Sequence, residues 1–147
     1  MIYLHIGRHK TGTSQLQRFM SRNRDKLADR KFVYPRIGDQ PDAHHGVALH
    51  LMGPTTDANS SSGKGSLEIL ELQRLFDSSD DNFVISSEAF QNIEPRRTLE
   101  LVGDRETIVV CYFREQASYV LSAYSQHVVG AKYCRDFSAY IETFFRR

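Results

Sequence analysis

A short apolar run that ends in a glycine-bounded turn and leads into a helix opens the chain, and this feature constrains the fold most. The run covers residues 2–6 and is broken at Gly7, which is typical of a buried strand. From Thr13 the apolar residues recur at helical spacing, at Leu16, Phe19, Met20 and Leu27. The sequence therefore predicts that residues 7–12 form a strand-to-helix turn.

The same alternation of strand and helix continues along the chain. Short strands are predicted at 32–34, at 83–85 and at 107–113, the last of which is apolar on both faces and is expected to be central in its sheet. Helices are predicted over 42–52, from a cap at Ser66, from Pro95 to Gly103, over 117–128 and over 137–145. Residues 53–66 are rich in Gly, Ser, Asn and Asp and are predicted to be a loop. This pattern predicts an α/β fold with a mostly parallel central sheet.

Length and composition bear on the number of domains, on membrane segments and on the state of the cysteines. The chain has 147 residues, which fits a single domain spanning 1–147. It has no apolar run near the ~20 residues of a membrane helix, so no membrane partner is expected. Its two cysteines, Cys111 and Cys134, are interpreted as reduced thiols of a cytoplasmic protein.

The net charge of +1 conceals an uneven distribution. Residues 1–36 carry nine basic and two acidic side chains, whereas residues 37–106 carry five basic and thirteen acidic ones. Proteins that bind nucleic acid usually have a basic excess across the domain, so no nucleic-acid polymer is expected as a partner. A basic end beside a glycine-rich turn favours a smaller anionic ligand.

The turn has the chemistry of a phosphate-binding loop. Gly7 and Gly12 have the G-x-x-x-x-G spacing of a Walker A motif, and Thr13 and Ser14 follow at the helix N-terminus. The glycines let backbone N–H groups point inward, the helix end adds partial positive charge, and the hydroxyls add donors. The motif departs from Walker A because its lysine is Lys10, inside the loop, and no strand ends in the Asp that holds Mg²⁺ in P-loop NTPases. We therefore expect phosphate binding without a metal.

At these residues the chain resembles the sulfotransferases that use 3′-phosphoadenosine 5′-phosphosulfate (PAPS). Residues 9–17, HKTGTSQLQ, resemble the 5′-phosphosulfate loop of that family. The family's 3′-phosphate site has an Arg at a strand end and a Ser eight residues later, and Arg114 and Ser122 have this spacing here. The segments HIGRHKTGTSQLQ and YFREQASYVLSAYSQ are similar to those of bacterial members that sulfate carbohydrates or other small hydroxyl compounds. The resemblance covers most of the chain.

The resemblance implies a P-loop-like three-layer α/β/α fold and a sulfuryl transfer from PAPS to the hydroxyl of a carbohydrate or another small molecule. It implies that Lys10 stabilises charge on the leaving group and that Arg114 and Ser122 bind the 3′-phosphate. The 5′ side of the cofactor is then held by the loop residues Lys10, Thr11, Gly12, Thr13 and Ser14. No His/Cys set has metal-ligand spacing, so no metal is expected.

The acceptor hydroxyl needs a base, and three residues are candidates. Glu88 is preferred because it follows a predicted strand and so lies at the same sheet edge as the loop. His44 and His45, in a segment that is predicted to fold over the acceptor, are the alternatives. The identity of the acceptor stays open.

Members of the family are longer than this chain and place further nucleotide contacts beyond the Arg/Ser helix. We therefore expect either a fragment of a longer protein or a short form whose adenine pocket is open or is completed by a second subunit of a homo-oligomer. Two other functions stay open beside sulfuryl transfer: a P-loop kinase or NTPase, and a non-catalytic nucleotide-binding remnant.

Overall fold

The computed structural model describes residues 1–38, 40, 42–53, 62–130 and 136–145. These residues group into two compact units, Met1–Tyr112 and Phe113–Arg147. The first unit contains all the strands of the described chain and five α-helices. Its elements are β1 (Ile2–His5), α1 (Thr13–Arg22), α2 (Arg24–Ala28), β2 (Phe32–Val33), α3 (His45–Met52), α4 (Ser62–Ser78), β3 (Asn82–Ser86), a 3₁₀ helix (Glu88–Asn92), α5 (Pro95–Val102) and β4 (Thr107–Val110).

The sheet is parallel throughout and has the strand order β2-β3-β1-β4. Ile2 of β1 pairs with Phe83 on one side and with Thr107 on the other. The fold is thus α/β, with a parallel sheet flanked by helices, consistent with a three-layer α/β/α architecture. Because all strands are parallel, the segments after β1 and β3 leave the same edge of the sheet, where open α/β folds bind ligands.

The prediction that the strand at 107–113 is central was wrong. β4 ends at Val110 and is an edge strand of the described sheet, paired with β1 alone. Ile108 and Val109 are 42% and 58% exposed. The error arose because an apolar run reports side-chain type and cannot show whether both edges of a strand are hydrogen-bonded.

Two helix boundaries also differ from the sequence prediction. The first helix stops at Arg22 and a second begins at Arg24, because Asn23 leaves helical geometry and its Nδ2 donates to the carbonyl of Phe19 (2.7 Å). Helix α4 begins at Ser62, so Ser66 lies within a helix that it was predicted to cap. The Ser66 hydroxyl instead lies 3.3 Å from His50 Nε2 on α3. The rest of the predicted loop, 54–61, lies outside the described residues.

The core of the first unit forms where one face of the sheet and the inward sides of α3, α4 and α5 meet. It is made of aliphatic and phenylalanine side chains that are less than 9% exposed, among them Ile2, Leu4, Val47, Leu51, Leu72, Phe83, Ile85, Phe90 and Leu101. Phe76 and Phe83 pack edge to face, with ring centroids 5.0 Å apart. Burial of this apolar surface holds the strand ends that carry the polar groups described below.

The second unit contains α6 (Gln116–Val129) and α7 (Phe137–Phe145), and both confirm helices that the periodicity predicts. Its small apolar cluster centres on Val120, Ala123 and Tyr140. Tyr124 packs against the rings of Phe137 and Tyr140 at centroid distances of 5.1 and 5.4 Å. In the described part of the chain no helix combines the length and apolar character needed to cross a membrane.

Candidate active site at the carboxyl edge of the sheet

The turn between β1 and α1 has three residues with positive φ within six positions. Gly7, Lys10 and Gly12 have φ angles of +38°, +66° and +86°. Glycine adopts such angles without strain, whereas a lysine rarely does, so the backbone at Lys10 is set by the turn around it. The sequence prediction of a strand-to-helix turn at 7–12 is confirmed.

Two threonine hydroxyls hold this turn closed. Thr11 Oγ1 donates to the carbonyl of Arg8 at 2.6 Å, and Thr13 Oγ1 donates to the same carbonyl at 3.1 Å. Thr13 is buried, whereas Ser14 is exposed. In the structure Thr13 therefore stabilises the turn, and Ser14 is the hydroxyl at the helix N-terminus that faces solvent.

The N-terminus of α1 is open to an anion. Gly12 is its N-cap, and no side chain in the described loop caps the helix. A Cβ added at Gly12 would meet no atom within 4 Å. The first turn contains no acidic residue. Uncapped N–H groups, the helix dipole and a cationic Lys10 in the same turn form a donor set suited to a phosphate or sulfate oxygen.

Glu88 lies beside α1, as its position after β3 predicts. The Glu88 carboxylate accepts a hydrogen bond from the side-chain amide of Gln17, with Nε2 and Oε2 3.1 Å apart. Gln17 is 3% exposed and lies one helical turn beyond Thr13. Gln17 thus connects the candidate base to the helix that begins at the end of the glycine-bounded turn.

The imidazole of His45 also lies next to the Glu88 carboxylate. Its Nε2 lies 3.9 Å from Glu88 Oε2, and its Nδ1 lies 2.7 Å from the Ser87 hydroxyl. The Ser87 oxygen already accepts from the N–H of Ala89, so its own hydrogen is available to Nδ1. When the Ser87 hydroxyl donates to Nδ1, the neutral ring carries its hydrogen on Nε2, the nitrogen that lies 3.9 Å from Glu88 Oε2. The two side chains are 27% and 19% exposed, so solvent reaches both.

His44 has a different environment from its neighbour. It is 2% exposed, its Nδ1 accepts from the backbone N–H of Ser86 (3.0 Å), and its Nε2 lies 3.2 Å from the carbonyl of Pro35. Burial lowers the pKa of His44 to about 4. Both ring nitrogens therefore serve the fold, and of the two candidate histidines the structure favours His45 for contact with an acceptor.

A buried polar cluster under the loop connects the ends of β1 and β3 to α1. Ser86 Oγ lies 2.7 Å from His5 Nδ1 and accepts from Gln17 Nε2 at 3.2 Å. The sequence pattern placed His5 within a strand and assigned no functional role to His5, Ser86 or Gln17. One signal was available, because Gln17 stands four residues after Thr13 and so shares its helix face.

Arg114 and Ser122 belong to the second unit. Arg114 is exposed and precedes α6, and Ser122 is half-buried on α6. The strand before Arg114 ends at Val110, so Arg114 does not directly terminate it as the family pattern requires. The side chain of Glu115 caps α6 by accepting from the N–H groups of Ala117 and Ser118. Joint binding of one phosphate by Arg114 and Ser122 stays a prediction.

A separate cavity of about 610 Å³ lies between α2, the segment after β2, and α4. Apolar and charged side chains line it, the charged ones being Arg24, Arg36 and Arg74 with Asp25 and Glu71. The residues that the sequence assigns to the site do not line this cavity. Within the described ranges no group of three His, Cys, Asp or Glu side chains could hold a metal ion.

The cofactor implied by the sequence resemblance can be tested against this donor set. PAPS presents anionic oxygens, and the open, uncapped end of α1 with Lys10 and Ser14 offers cationic and neutral donors of the type those oxygens need. The residues of the loop therefore fit the 5′ side of the cofactor. No protein-family model, no curated protein and no solved structure matches the chain.

Proposed function

We propose that this chain is a sulfotransferase that transfers a sulfuryl group from PAPS to a hydroxyl of a carbohydrate or another small molecule. One observation carries the proposal: a phosphate-type loop with Lys10 inside it leads into a helix that also holds the carboxylate of Glu88, through Gln17. An anion-binding group and a proton acceptor then lie on the same edge of the sheet.

The loop residues would hold the 5′ end of the cofactor. Gly12 leaves room for a close approach, Ser14 adds a hydroxyl at the open helix end, and the ammonium of Lys10 opposes charge that develops on the departing phosphate. The 3′-phosphate is assigned to Arg114 and Ser122 on their sequence spacing. A phosphate site of this second kind distinguishes PAPS from ATP.

When bound, PAPS supplies the sulfuryl group: the acceptor oxygen bonds to sulfur as the sulfur–oxygen bond to the 5′-phosphate breaks, leaving adenosine 3′,5′-bisphosphate. Glu88 takes the proton of the acceptor hydroxyl at a carboxylate oxygen. Gln17 fixes the direction of that carboxylate, and His45, whose Nε2 lies 3.9 Å from the same Oε2, stabilises the negative charge before the proton arrives. No metal is assigned a role in these steps.

The test is transfer of labelled sulfate from PAPS to a panel of carbohydrate and phenolic acceptors. Lys10→Ala is expected to abolish transfer while its unfolding transition stays near that of the unmodified chain. Lys26→Ala is the matched control, because it removes the same charge from an exposed position of α2 and should retain activity. Full activity in Lys10→Ala would contradict the mechanism. Binding of adenosine 3′,5′-bisphosphate without transfer to any acceptor would instead favour a non-catalytic nucleotide-binding protein.

A further inference from the structure

The imidazole of His5, at the end of β1, has one ring nitrogen that the rest of the site does not use. His5 is 2% exposed, and its ring packs edge to face against Tyr112 at a centroid distance of 5.4 Å. Its Nδ1 lies 2.7 Å from Ser86 Oγ, but its Nε2 is buried and has no hydrogen-bond partner among the described residues. A buried polar atom without a partner is costly and calls for an explanation.

The unpartnered Nε2 borders the phosphate loop. A Cβ built on Gly7 would lie 3.3 Å from His5 Nε2 and 3.1 Å from the methyl group of Thr13. Gly7 begins the loop and Thr13 begins α1, so the ring edge of His5 lies against the space between the two ends of the loop. Gly7 has no Cβ, so no side-chain atom of this residue occupies the place next to the ring edge.

The hydrogen bonds around Ser86 allow a neutral His5 ring that carries its proton on Nε2. Ser86 Oγ accepts from the amide of Gln17, and in this arrangement its own hydrogen can be donated to His5 Nδ1, which lies 2.7 Å away. With Nδ1 as acceptor, the neutral imidazole carries its hydrogen on Nε2. Burial lowers the pKa of His5, with the charge of Glu88 opposing the shift, and so the ring is neutral near pH 7.

We infer that His5 Nε2–H is a hidden donor of the phosphate loop, directed to the oxygen of the anion that the loop binds. Ser86 and Gln17 are then positioning residues that select the tautomer, and the N–H groups of α1 and Nε2–H act on the same anion. This inference rests on the proposed function to the extent that the loop must bind a phosphate or sulfate group. The group that would be bound is an oxoanion, which can belong either to a nucleotide or to free phosphate.

The first measurement records the ¹⁵N signals of the histidine rings in the full chain at pH 7, with inorganic phosphate and with adenosine 3′,5′-bisphosphate as separate additions. We expect the Nε2–H tautomer for His5 and a shift of its Nε2 signal on saturation with either anion. His44 is the internal control, because its nitrogens contact Ser86 N–H and the Pro35 carbonyl and should not respond. An unprotonated Nε2 would overturn the inference. A protonated Nε2 whose signal does not shift with either anion, because it donates to a trapped water, would overturn it as well.

Two substitutions separate the two ring nitrogens. His5→Asn places an amide near Nδ1, so it keeps a partner for Ser86 and loses the donor, whereas His5→Gln places its amide nitrogen near Nε2. Loss of one hydrogen bond to a charged group weakens binding about tenfold or more, which is expected for His5→Asn and not for His5→Gln. His50→Asn, at a histidine that contacts Ser66 on α4, is the control for the substitution itself. Equal affinities for His5→Asn and the unmodified chain would contradict the assignment.

The two anions separate failure of this inference from failure of the proposed function. If the nucleotide binds and His5 does not respond, the inference fails and the proposed function stands. If phosphate shifts His5 Nε2 but the nucleotide does not bind, the donor is real and the proposed function fails. If neither anion binds at the loop, both are overturned. The ring signals are read in the unmodified chain, so the test holds even where a variant does not fold.

Discussion

Acidification should destabilise the fold through His44, a residue that the structure buries as a neutral ring. The pKa of His44 is lowered from 6.5 to about 4 by desolvation, and its Nδ1 must stay unprotonated to accept the N–H of Ser86. As the pH falls below 6.5, the unfolded chain takes up a proton at this residue and the folded chain does not. The free energy of unfolding therefore falls between pH 6.5 and pH 4, and His44 adds no further loss below that range.

The magnitude follows from the size of the shift. A lowering of about 2.5 pKa units is worth roughly 3 kcal/mol in total, at about 1.36 kcal/mol for each unit. Between pH 7 and pH 5 the linkage relation gives a loss of about 2 kcal/mol from this residue alone. His5 contributes in the same direction because burial also lowers its pKa. The part of the pH-dependent loss in unfolding free energy that comes from His44 must therefore be measured by comparison with a variant.

The assay is urea unfolding at pH 7 and at pH 5, at constant ionic strength, for the unmodified chain and for His44→Gln. The variant is less stable at pH 7, but it should lose about 2 kcal/mol less on acidification. Leu51→Ala is the matched control: it weakens the same helix at a fully buried position without removing a titratable group, so it should keep the full loss. Parallel pH dependence in the unmodified chain and His44→Gln would refute this reasoning.

Three further predictions concern the loop, the core and the site. Gly7→Ala should lower the thermal unfolding temperature more than Gly12→Ala does. Both positions have positive φ, but only at Gly7 would an added Cβ have neighbours 3.1–3.3 Å away. Equal decreases in the unfolding temperature would contradict the packing around the loop. Leu72→Ala should cost about 2–5 kcal/mol at a fully buried position, while Leu70→Ala, 49% exposed, should cost far less in urea unfolding. Gln17→Ala should lower kcat for sulfate transfer more than it changes KM, since it releases the Glu88 carboxylate, the proposed proton acceptor; an unchanged kcat would argue against that role.

The local features of this fold were predictable from the sequence. The loop ends where the sequence predicted, before Thr13, and α7 has the predicted bounds of 137–145, because glycine placement and helical periodicity are local properties. The strand before the loop ends at His5, one residue earlier than predicted. Pro95 begins α5 and Gly103 follows its last residue, as their backbone preferences indicate. Glu88 was also predicted at the correct sheet edge, because the ends of parallel strands share an edge.

The features that failed or were missed depend on distant partners. The edge position of β4 is determined by which strands pair beside it, and an apolar run carries no record of that pairing. The contact of Gln17 with Ser86 spans 69 residues, and that of His5 with Ser86 spans 81. The different roles of His44 and His45 follow from burial on one side of α3, which the sequence of two adjacent histidines does not reveal.

The most direct test of the proposed function is calorimetric titration of the full chain with adenosine 3′,5′-bisphosphate and, separately, with ATP in the presence and absence of Mg²⁺. If Lys10 in the turn binds the 5′ side and Arg114 with Ser122 binds the 3′-phosphate, as proposed, the chain should bind the bisphosphate more tightly than ATP, without a requirement for the metal. Arg114→Ala should reduce that preference. Tighter binding of ATP that depends on Mg²⁺ would contradict the sulfotransferase assignment and favour a P-loop kinase or NTPase.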